Sequence, residues 1–327
     1  MHRPSIVVVT PALADANNGN WQTAHRWARL LAGAYRVRLA ARWDGGDEDL
    51  MIALHARRSA ASVQAWRERN AARPLLLVLT GTDLYRDIES DADARRSLVL
   101  ARRLVVLQEL GAGSLPAPLR SKTRTIVQSA PCRRPLAKTT RHLRAVLVGH
   151  LRAEKDPQTL FAAARILAGR PDILIDHVGA ALDANLGAQA RATMRECPGY
   201  RWLGGLPHEA TRRRIQRAHV LINTSRMEGG AHVVIEAIQS GTPVLASRID
   251  GNLGLLGAGW PAVFDVGDAD GLARLLVACR EGQGKRGGLL ARLERLGQER
   301  SRLFSTEYER DSVRRLAAEL LAGENRP

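Results

Sequence analysis

The sequence is poor in aromatic residues, cysteine, long apolar runs and negative charge. Phe, Trp and Tyr make up 4% of its 327 residues. No zinc finger or RNP motif is present, and the basic residues are spread over many predicted helices. Together these features argue against a nucleic-acid-binding protein. Cys132, Cys197 and Cys279 are odd in number, far apart and in no metal-ligand spacing. They read as reduced thiols of a cytoplasmic protein. No apolar run approaches the roughly 20 residues of a spanning helix. After Met1-His2-Arg3-Pro4 the apolar stretch Ser5 to Val9 is too short for the core of a signal peptide, and it predicts a first strand. Carboxylates are outnumbered, 33 Asp+Glu against 49 Lys+Arg, for a formal charge of +16. That excess predicts an anionic partner: nucleic acid, acidic lipid or a small phosphorylated substrate. The last predicted helix carries Arg314 and Arg315 without being strongly cationic, so no stable membrane association is expected.

A length of 327 residues at roughly 150 per domain predicts two domains, each large enough for its own core. Short β-rich runs alternate with amphipathic helices. The predicted strands are Ile6–Thr10, Val37–Ala41, Leu50–Leu54, Leu75–Thr80, Leu104–Leu107 and Thr125–Gln128, then Ala145–Val148, Ile173–Val178, Tyr200–Leu203, Val220–Asn223 and Val244–Ala246. Near-continuous apolar strands alternating with helices predict parallel sheets covered on both faces, an α/β class. Between Gln128 and Leu143 the chain carries Pro131 and Pro135 and no apolar period, and it reads as a linker. Each half is then one Rossmann-like, doubly wound domain, with ligand at the carboxyl ends of its strands. The expected division is 1–138, 139–304 and a terminal helical segment 305–327 that returns to the first domain. Trp21, Ala24, Trp27, Ala28 and Leu31 form one apolar stripe after the turn Asn17-Asn18-Gly19-Asn20. Asp156 before Pro157 predicts an N-cap, and Thr306 with Glu309 a capping box before the helix Tyr308–Leu321.

Most of the chemistry sits in the stretch from Asn223 to Val244. A strand ends at Asn223, a turn holds Glu228, Gly229 and Gly230, and a helix carrying Glu236 follows. Adjacent glycines at a strand-to-helix turn let backbone N–H groups approach an anion, and the helix N-terminus adds partial positive charge. Glu236, within two turns of Gly230, can reach a polyol beside that anion. The plainer alternative is a solvated helix after an incidental turn.

This stretch resembles the Glu-x7-Glu signature of the retaining GT-B glycosyltransferases, the family of glycogen and sucrose synthases. Gly149-His150-Leu151-Arg152-Ala153-Glu154-Lys155 is similar to the diphosphate-binding turn of the same family, with His150 where arginine is usual. The resemblance implies a GT-B fold, two Rossmann-like domains facing each other across a cleft. It gives Glu236 to the ribose hydroxyls of a nucleotide, Lys155 to the diphosphate, and Glu228, Gly229, Gly230, Ala231 and His232 to the donor sugar. Either Arg152 supplies the charge missing at His150, or the histidine takes part itself.

Further segments narrow the resemblance: Ala16–Leu31, Ala53–Ala60, Leu79–Ile88, Gly149–Pro157 and Ser247–Gly257. With these, the chain from about residue 5 to 280 resembles the selenosugar synthases of the selenoneine pathway, within GT4-like glycosyltransferases. The activity implied is attack of selenophosphate on the anomeric carbon of a UDP-sugar (UDP-GlcNAc or UDP-glucose), releasing UDP and, after loss of phosphate, leaving a 1-selenosugar. No other cofactor is expected, and the oligomeric state is left open.

Selenophosphate is a charged, soft nucleophile that needs no base, so its site should supply cations and N–H donors. His55, Arg57 and Arg58 follow the strand Leu50–Leu54, and Thr80, Gly81, Thr82 and Asp83 end another. The arginines read as acceptor ligands or as solvated side chains, His55 as a general acid or a structural residue, and Asp83 as a ligand or a helix cap. Gly19 and Asn20 belong to the loop placed to cover the pyrophosphate. Asp47-Glu48-Asp49, Asp91-Ala92-Asp93 and Asp268-Ala269-Asp270 match Asp-x-Asp, the metal signature of another glycosyltransferase fold, but all lie in polar turns or at helix starts. No metal is expected. Donor capture in the second domain, acceptor capture in the first and closure across the linker would exclude water. The alternatives are an ordinary GT4-like glycosyltransferase with a hydroxyl or thiol acceptor, and a basic nucleic-acid-binding protein.

Overall fold

A computed structural model describes residues 3–11, 19–69 and 71–323. Asn17 and Asn18 lie outside the described residues. The chain divides into two compact units. The first takes in 1–129, 228–230 and 306–327, and the second 130–227 and 231–305. Residues 130–138, grouped with the first half on sequence, cluster with the second unit, whereas the terminal helix Thr306–Ala322 clusters with the first.

In the first unit β1 (Ser5–Val9), β2 (Arg36–Ala40), β3 (Leu50–Leu54), β4 (Leu75–Val78), β5 (Arg103–Val106) and β6 (Thr123–Thr125) form a six-stranded sheet in the order β2-β1-β3-β4-β5-β6. Every pairing is parallel. Successive side chains of a strand point to opposite faces. Ile6, Val8, Ile52 and Leu54 therefore pack with Trp27, Leu31, Val313 and Leu316. Val7, Val9, Met51 and Ala53 pack with Val63, Trp66 and Leu98 on the other face. With both faces covered, these strands have no polar positions to alternate with, hence the unbroken apolar runs.

The second unit repeats the plan. Its strands are β7 (Leu143–Val148), β8 (Ile173–Val178), β9 (Tyr200–Trp202), β10 (Val220–Asn223), β11 (Val244–Ser247) and β12 (Val263–Phe264), in the order β12-β11-β10-β7-β8-β9. The order reverses between β7 and β10. In such sheets the connections after the two switch strands leave to opposite faces, opening a crevice at the carboxyl edge. Gly149 follows β7 there, and Thr224 follows β10. The corresponding reversal in the first sheet lies at β1 and β3, and His55 follows β3.

One predicted cap is corrected, and the other, Asp156, stands at the N-cap position with Pro157 after it but makes no capping bond there. Glu309 forms no capping box: it is fully buried, its carboxylate taking both Arg26 Nε contacts, the Trp27 indole N–H and the N–H and hydroxyl of Ser129. The side chain thus fastens the terminal helix to the helix Gly19–Leu31 and to the end of the first sheet. Asp156 precedes Pro157 in a left-handed conformation (φ 44°) without a side-chain capping bond. Its carboxylate instead accepts from Thr159 Oγ1 at 2.7 Å and pairs with Arg226 at 3.3 Å. Among the described residues no helix is long and apolar enough to cross a membrane.

Candidate functional site

At the switch of the second sheet, buried bonds shape the turn after β7. Gly149 donates its N–H to Val178 O, and its carbonyl accepts from His177 Nε2 at 3.1 Å. A carbonyl can only accept, so His177 carries its proton on Nε2, and Nδ1 accepts from the Tyr200 hydroxyl at 2.9 Å. Burial pushes the His177 imidazole down to about 4, so it stays neutral. A side chain on Gly179 would overlap the Gly149 carbonyl, so glycine there is what lets the two strand ends approach.

His150, Arg152 and Lys155 line this turn. His150 Nδ1 accepts the Ala180 N–H at 3.0 Å. Desolvation, then the charges of Arg152 and Lys155, lower its pKa. In its neutral form the imidazole therefore presents an Nε2–H, a donor without a charge. Arg152 is exposed, 4.0 Å from Glu154. The Lys155 stem lies across Gly149, its Cγ and Cδ 3.4 Å from where a Gly149 Cβ would stand. The turn after β10 is bonded to this one: Thr224 Oγ1 donates to Lys155 O at 2.7 Å, and Arg226 N–H to Glu154 O at 2.9 Å. Behind it, Ser247 Oγ donates to Ser225 O and Asn252 Nδ2 to Ser247 O. The two turns are thereby fixed to each other by hydrogen bonds.

Glu236 lies on the helix His232–Ile238 and is 2% exposed. Its Oε1 accepts from His208 Nε2 at 2.7 Å and stands 3.5 Å from His232 Nδ1 and 3.6 Å from Arg212 Nη1. Burial alone would raise this carboxyl, but the His208 and His232 hydrogen bonds and the Arg212 charge hold it at about 2. The same bond raises His208. Neither His208 nor Arg212 was a sequence-based candidate. Their signal was the i, i+4 spacing that puts both on one face of the helix His208–Arg217, as His232 and Glu236 share a face of theirs.

The glycines of the 228–230 turn also meet a steric need. A Cβ on Gly229 would overlap the backbone of Thr80 and Gly81, and one on Gly230 would stand 2.8 Å from Leu107 Cβ. The pair is small so that this turn can lie against the strand ends of the first unit, to which Glu228, Gly229 and Gly230 belong. Ala231 is buried just before the helix that starts at His232.

In the first unit the residues after β3 and β4 come together. His55 adopts φ 72°, a left-handed conformation uncommon for a residue with a side chain. It is 2% exposed; its Nε2 lies 3.1 Å from Thr82 Oγ1, and its Nδ1 accepts the Arg58 N–H at 3.4 Å. Burial lowers its pKa against the opposing pull of Asp83, with Arg58 lowering it further. Asp83 is not laid open to an anion. Fully buried, it accepts the N–H groups of Thr80, Gly81 and Ala56 at 2.8–2.9 Å. It thereby occupies the Thr80 and Gly81 N–H groups of this loop. Arg57 donates to Asp87 at 2.8 Å, whereas the exposed Arg58 guanidinium has no carboxylate partner among the described residues. Gly19 and Asn20 open the helix Gly19–Leu31, with Thr23 Oγ1 bonded to Gly19 O. Of the Asp-x-Asp matches, Asp91 and Asp268 cap helices through Ala94 and Gly271 N–H, and Asp49 accepts from Ser5.

Two parallel six-stranded sheets, each covered by helices and each reversing its strand order once, define the GT-B fold of glycosyltransferases. Residues 132–286 match the family model of glycosyl transferases group 1. Sucrose-phosphate synthase from Thermosynechococcus elongatus is 18% identical, with a TM-score of 0.76 over 98% of this chain and 100% of that one. HepE from Anabaena, solved with UDP and glucose, is 16% identical, with a TM-score of 0.71 over 98% and 100%. TarM from S. aureus, in complex with UDP, is 13% identical with a TM-score of 0.65, and this chain spans about half of its length, 55%. The family match and the shared fold support a group 1, GT4-like glycosyltransferase.

Proposed function

We propose that the chain is a cytoplasmic, UDP-sugar-dependent glycosyltransferase that transfers GlcNAc or glucose to selenophosphate in the making of a 1-selenosugar. The observation that carries the donor half is the hydrogen-bonded pair of turns at the β7/β10 switch, inside the stretch matching group 1 glycosyltransferases. In this reading Lys155 and Arg152 meet the diphosphate with charge, and the His150 Nε2–H adds a neutral donor. Glu236, ionised at any physiological pH, accepts the ribose hydroxyls. His232, Ala231 and the Glu228–Gly230 turn hold the sugar, with Gly19 and Asn20 over the pyrophosphate.

The acceptor half draws on the resemblance of the first-half segments to selenosugar synthases, and on the state of the side chains after β3 and β4. Both carboxylates there are engaged: Asp83 by three backbone N–H groups, Asp87 by Arg57. A hydroxyl acceptor calls for a base to take its proton, whereas selenophosphate arrives as an anion and calls for cations. Arg58, supported by Arg57, holds the acceptor, and the Thr82 hydroxyl, bonded to His55, adds a donor. Asp83 shapes the loop from within.

Chemically, selenium attacks the anomeric carbon as the bond from that carbon to the diphosphate oxygen breaks, and UDP leaves with the electron pair. Water then attacks phosphorus of the sugar selenophosphate, releasing orthophosphate and the 1-selenosugar. UDP release measured with selenophosphate, and with hydroxyl and thiol acceptors, tests this. Selenium-dependent release, with a selenosugar in the mass spectrum, is expected. Release with hydroxyl or thiol acceptors alone would assign an ordinary GT4-like transferase instead.

A further inference from the structure

Two helices of the second unit turn their i, i+4 pairs toward one oxygen atom. His208 and Arg212 come from the helix His208–Arg217, and His232 and Glu236 from the helix His232–Ile238; the three cationic or imidazole groups converge on Glu236 Oε1. Arg212 is 1% exposed and already donates from Nη2 to Pro131 O, while its buried Nε has no partner. The neighbourhood of Oε1 is thus oversupplied with donors even without His208. The His208 side chain is 60% exposed, so water screens its pairing with Glu236 and the bond adds little to stability. Its geometric consequence is larger. At 2.7 Å it is the shortest of the three contacts, and it fixes which carboxylate oxygen is spent inside the protein. For each of the three the nearest carboxylate oxygen is Oε1.

We propose that His208 is a positioning residue: by engaging Oε1 it presents Oε2 to the ribose of the donor nucleotide, and so sets the preference for ribonucleotides over 2′-deoxyribonucleotides. The inference rests on the reading of Glu236 as the ribose ligand. A carboxylate can accept from two vicinal hydroxyls only if one of its oxygens is turned outward, and a carboxylate rotating among Arg212, His232 and solvent would lose that orientation. His208 itself touches no substrate in this scheme.

Calorimetric titration of the full chain with UDP and with 2′-deoxy-UDP tests it, using the wild type, His208→Leu, His208→Gln and Glu236→Gln. The wild type should prefer UDP by about tenfold, the worth of one hydrogen bond to a charged group. His208→Leu should weaken UDP, which loses contacts to two hydroxyls, more than 2′-deoxy-UDP, which loses one, so that the ratio narrows toward one. His208→Gln, whose amide nitrogen can stand where imidazole Nε2 stood, should restore most of the preference. Melting temperatures of the two His208 variants should match, because that side chain is exposed. A His208→Leu protein that keeps the wild-type ratio, or that weakens both nucleotides equally, would overturn the proposal while leaving Glu236 at the ribose. A wild type that binds UDP and 2′-deoxy-UDP equally, with Glu236→Gln changing neither, would overturn both.

Discussion

Asp83 and Glu236 are buried carboxylates in helical segments that follow a strand end, one in each unit, and their partners are opposite in kind. Asp83 accepts three N–H groups of the backbone. Glu236 is met by side chains: two imidazoles and a guanidinium. A carboxylate satisfied by backbone fixes the course of the chain and has nothing left to offer a ligand. One satisfied by side chains can exchange or reorient those partners when a ligand arrives, and here the nearest approach of each is to Oε1. The same carboxylate group, buried in both places, thus fixes the chain in the first unit and, in the proposed function, recognises ligand in the second.

The sharpest way to break this comparison is at Asp83. Asp83→Ala leaves the N–H groups of Thr80, Gly81 and Ala56 without their acceptor, at roughly 1–3 kcal/mol for each one that stays buried. The expected loss of stability is on the order of 4 kcal/mol, read from urea denaturation. Asp83→Asn keeps an oxygen for Thr80 and Gly81 but turns an amide toward the Ala56 N–H, so about half of that loss is expected. If Asp83→Ala kept full stability and lost only acceptor affinity, Asp83 would be a ligand and the contrast with Glu236 would fall.

The acid limb of the stability curve sharpens the other side. Glu236 titrates at about 2 in the folded protein, against an ordinary 4.5. A depressed carboxyl contributes its stability above the unfolded value and loses it as pH falls toward the folded one. The wild type should therefore lose about 3 kcal/mol relative to its own plateau between pH 4.5 and 2. In Glu236→Gln this part of the slope should be absent. Parallel acid limbs in the two proteins would show that the cationic cluster does not hold the carboxylate as described.

How much of this was legible in the sequence depends on how far apart the cooperating residues lie. Ten of the eleven predicted strands are present, most legibly those buried on both faces, which are contiguous apolar runs; β6 (Thr123–Thr125) shares only Thr125 with the predicted Thr125–Gln128. β12, two residues long, offers no such run. The Gly149–Lys155 turn could be singled out in sequence because its candidate groups, His150, Arg152 and Lys155, are neighbours in the chain. His208 and Glu236 are 28 positions apart and meet only because two helices pack. The Thr80–Asp83 loop misled in a specific way. A threonine- and glycine-rich strand end reads as an anion cradle, but an aspartate two or three residues on can turn back and fill the cradle itself. Gly229 and Gly230 read as anion-binding from their place in the chain, and nothing nearby in sequence signalled that their small size is also needed beside Thr80, Gly81 and Leu107.

The smallest effect on the fold should come with a large effect on turnover, at Lys155. Its side chain is half-buried and lies along Gly149, so Lys155→Ala removes some packing of the stem, and stability should change by no more than about 1 kcal/mol. In the proposed reaction the ammonium meets charge that grows on the diphosphate as the bond to the anomeric carbon breaks. An interaction stronger in the transition state than in the ground state appears in turnover rather than in binding. Lys155→Ala should therefore lower kcat about a hundredfold and raise the donor KM much less, since Arg152 and the His150 N–H remain for the bound diphosphate. Lys155→Arg keeps the charge but not its compact position, and should recover only part of the loss. Steady-state kinetics of UDP release in these variants, with melting temperatures alongside, separates the two quantities. A KM effect without a kcat effect would place Lys155 in ground-state binding. Loss of both in proportion to lost stability would make it one more residue that shapes the turn, as Asp83 does in the first unit.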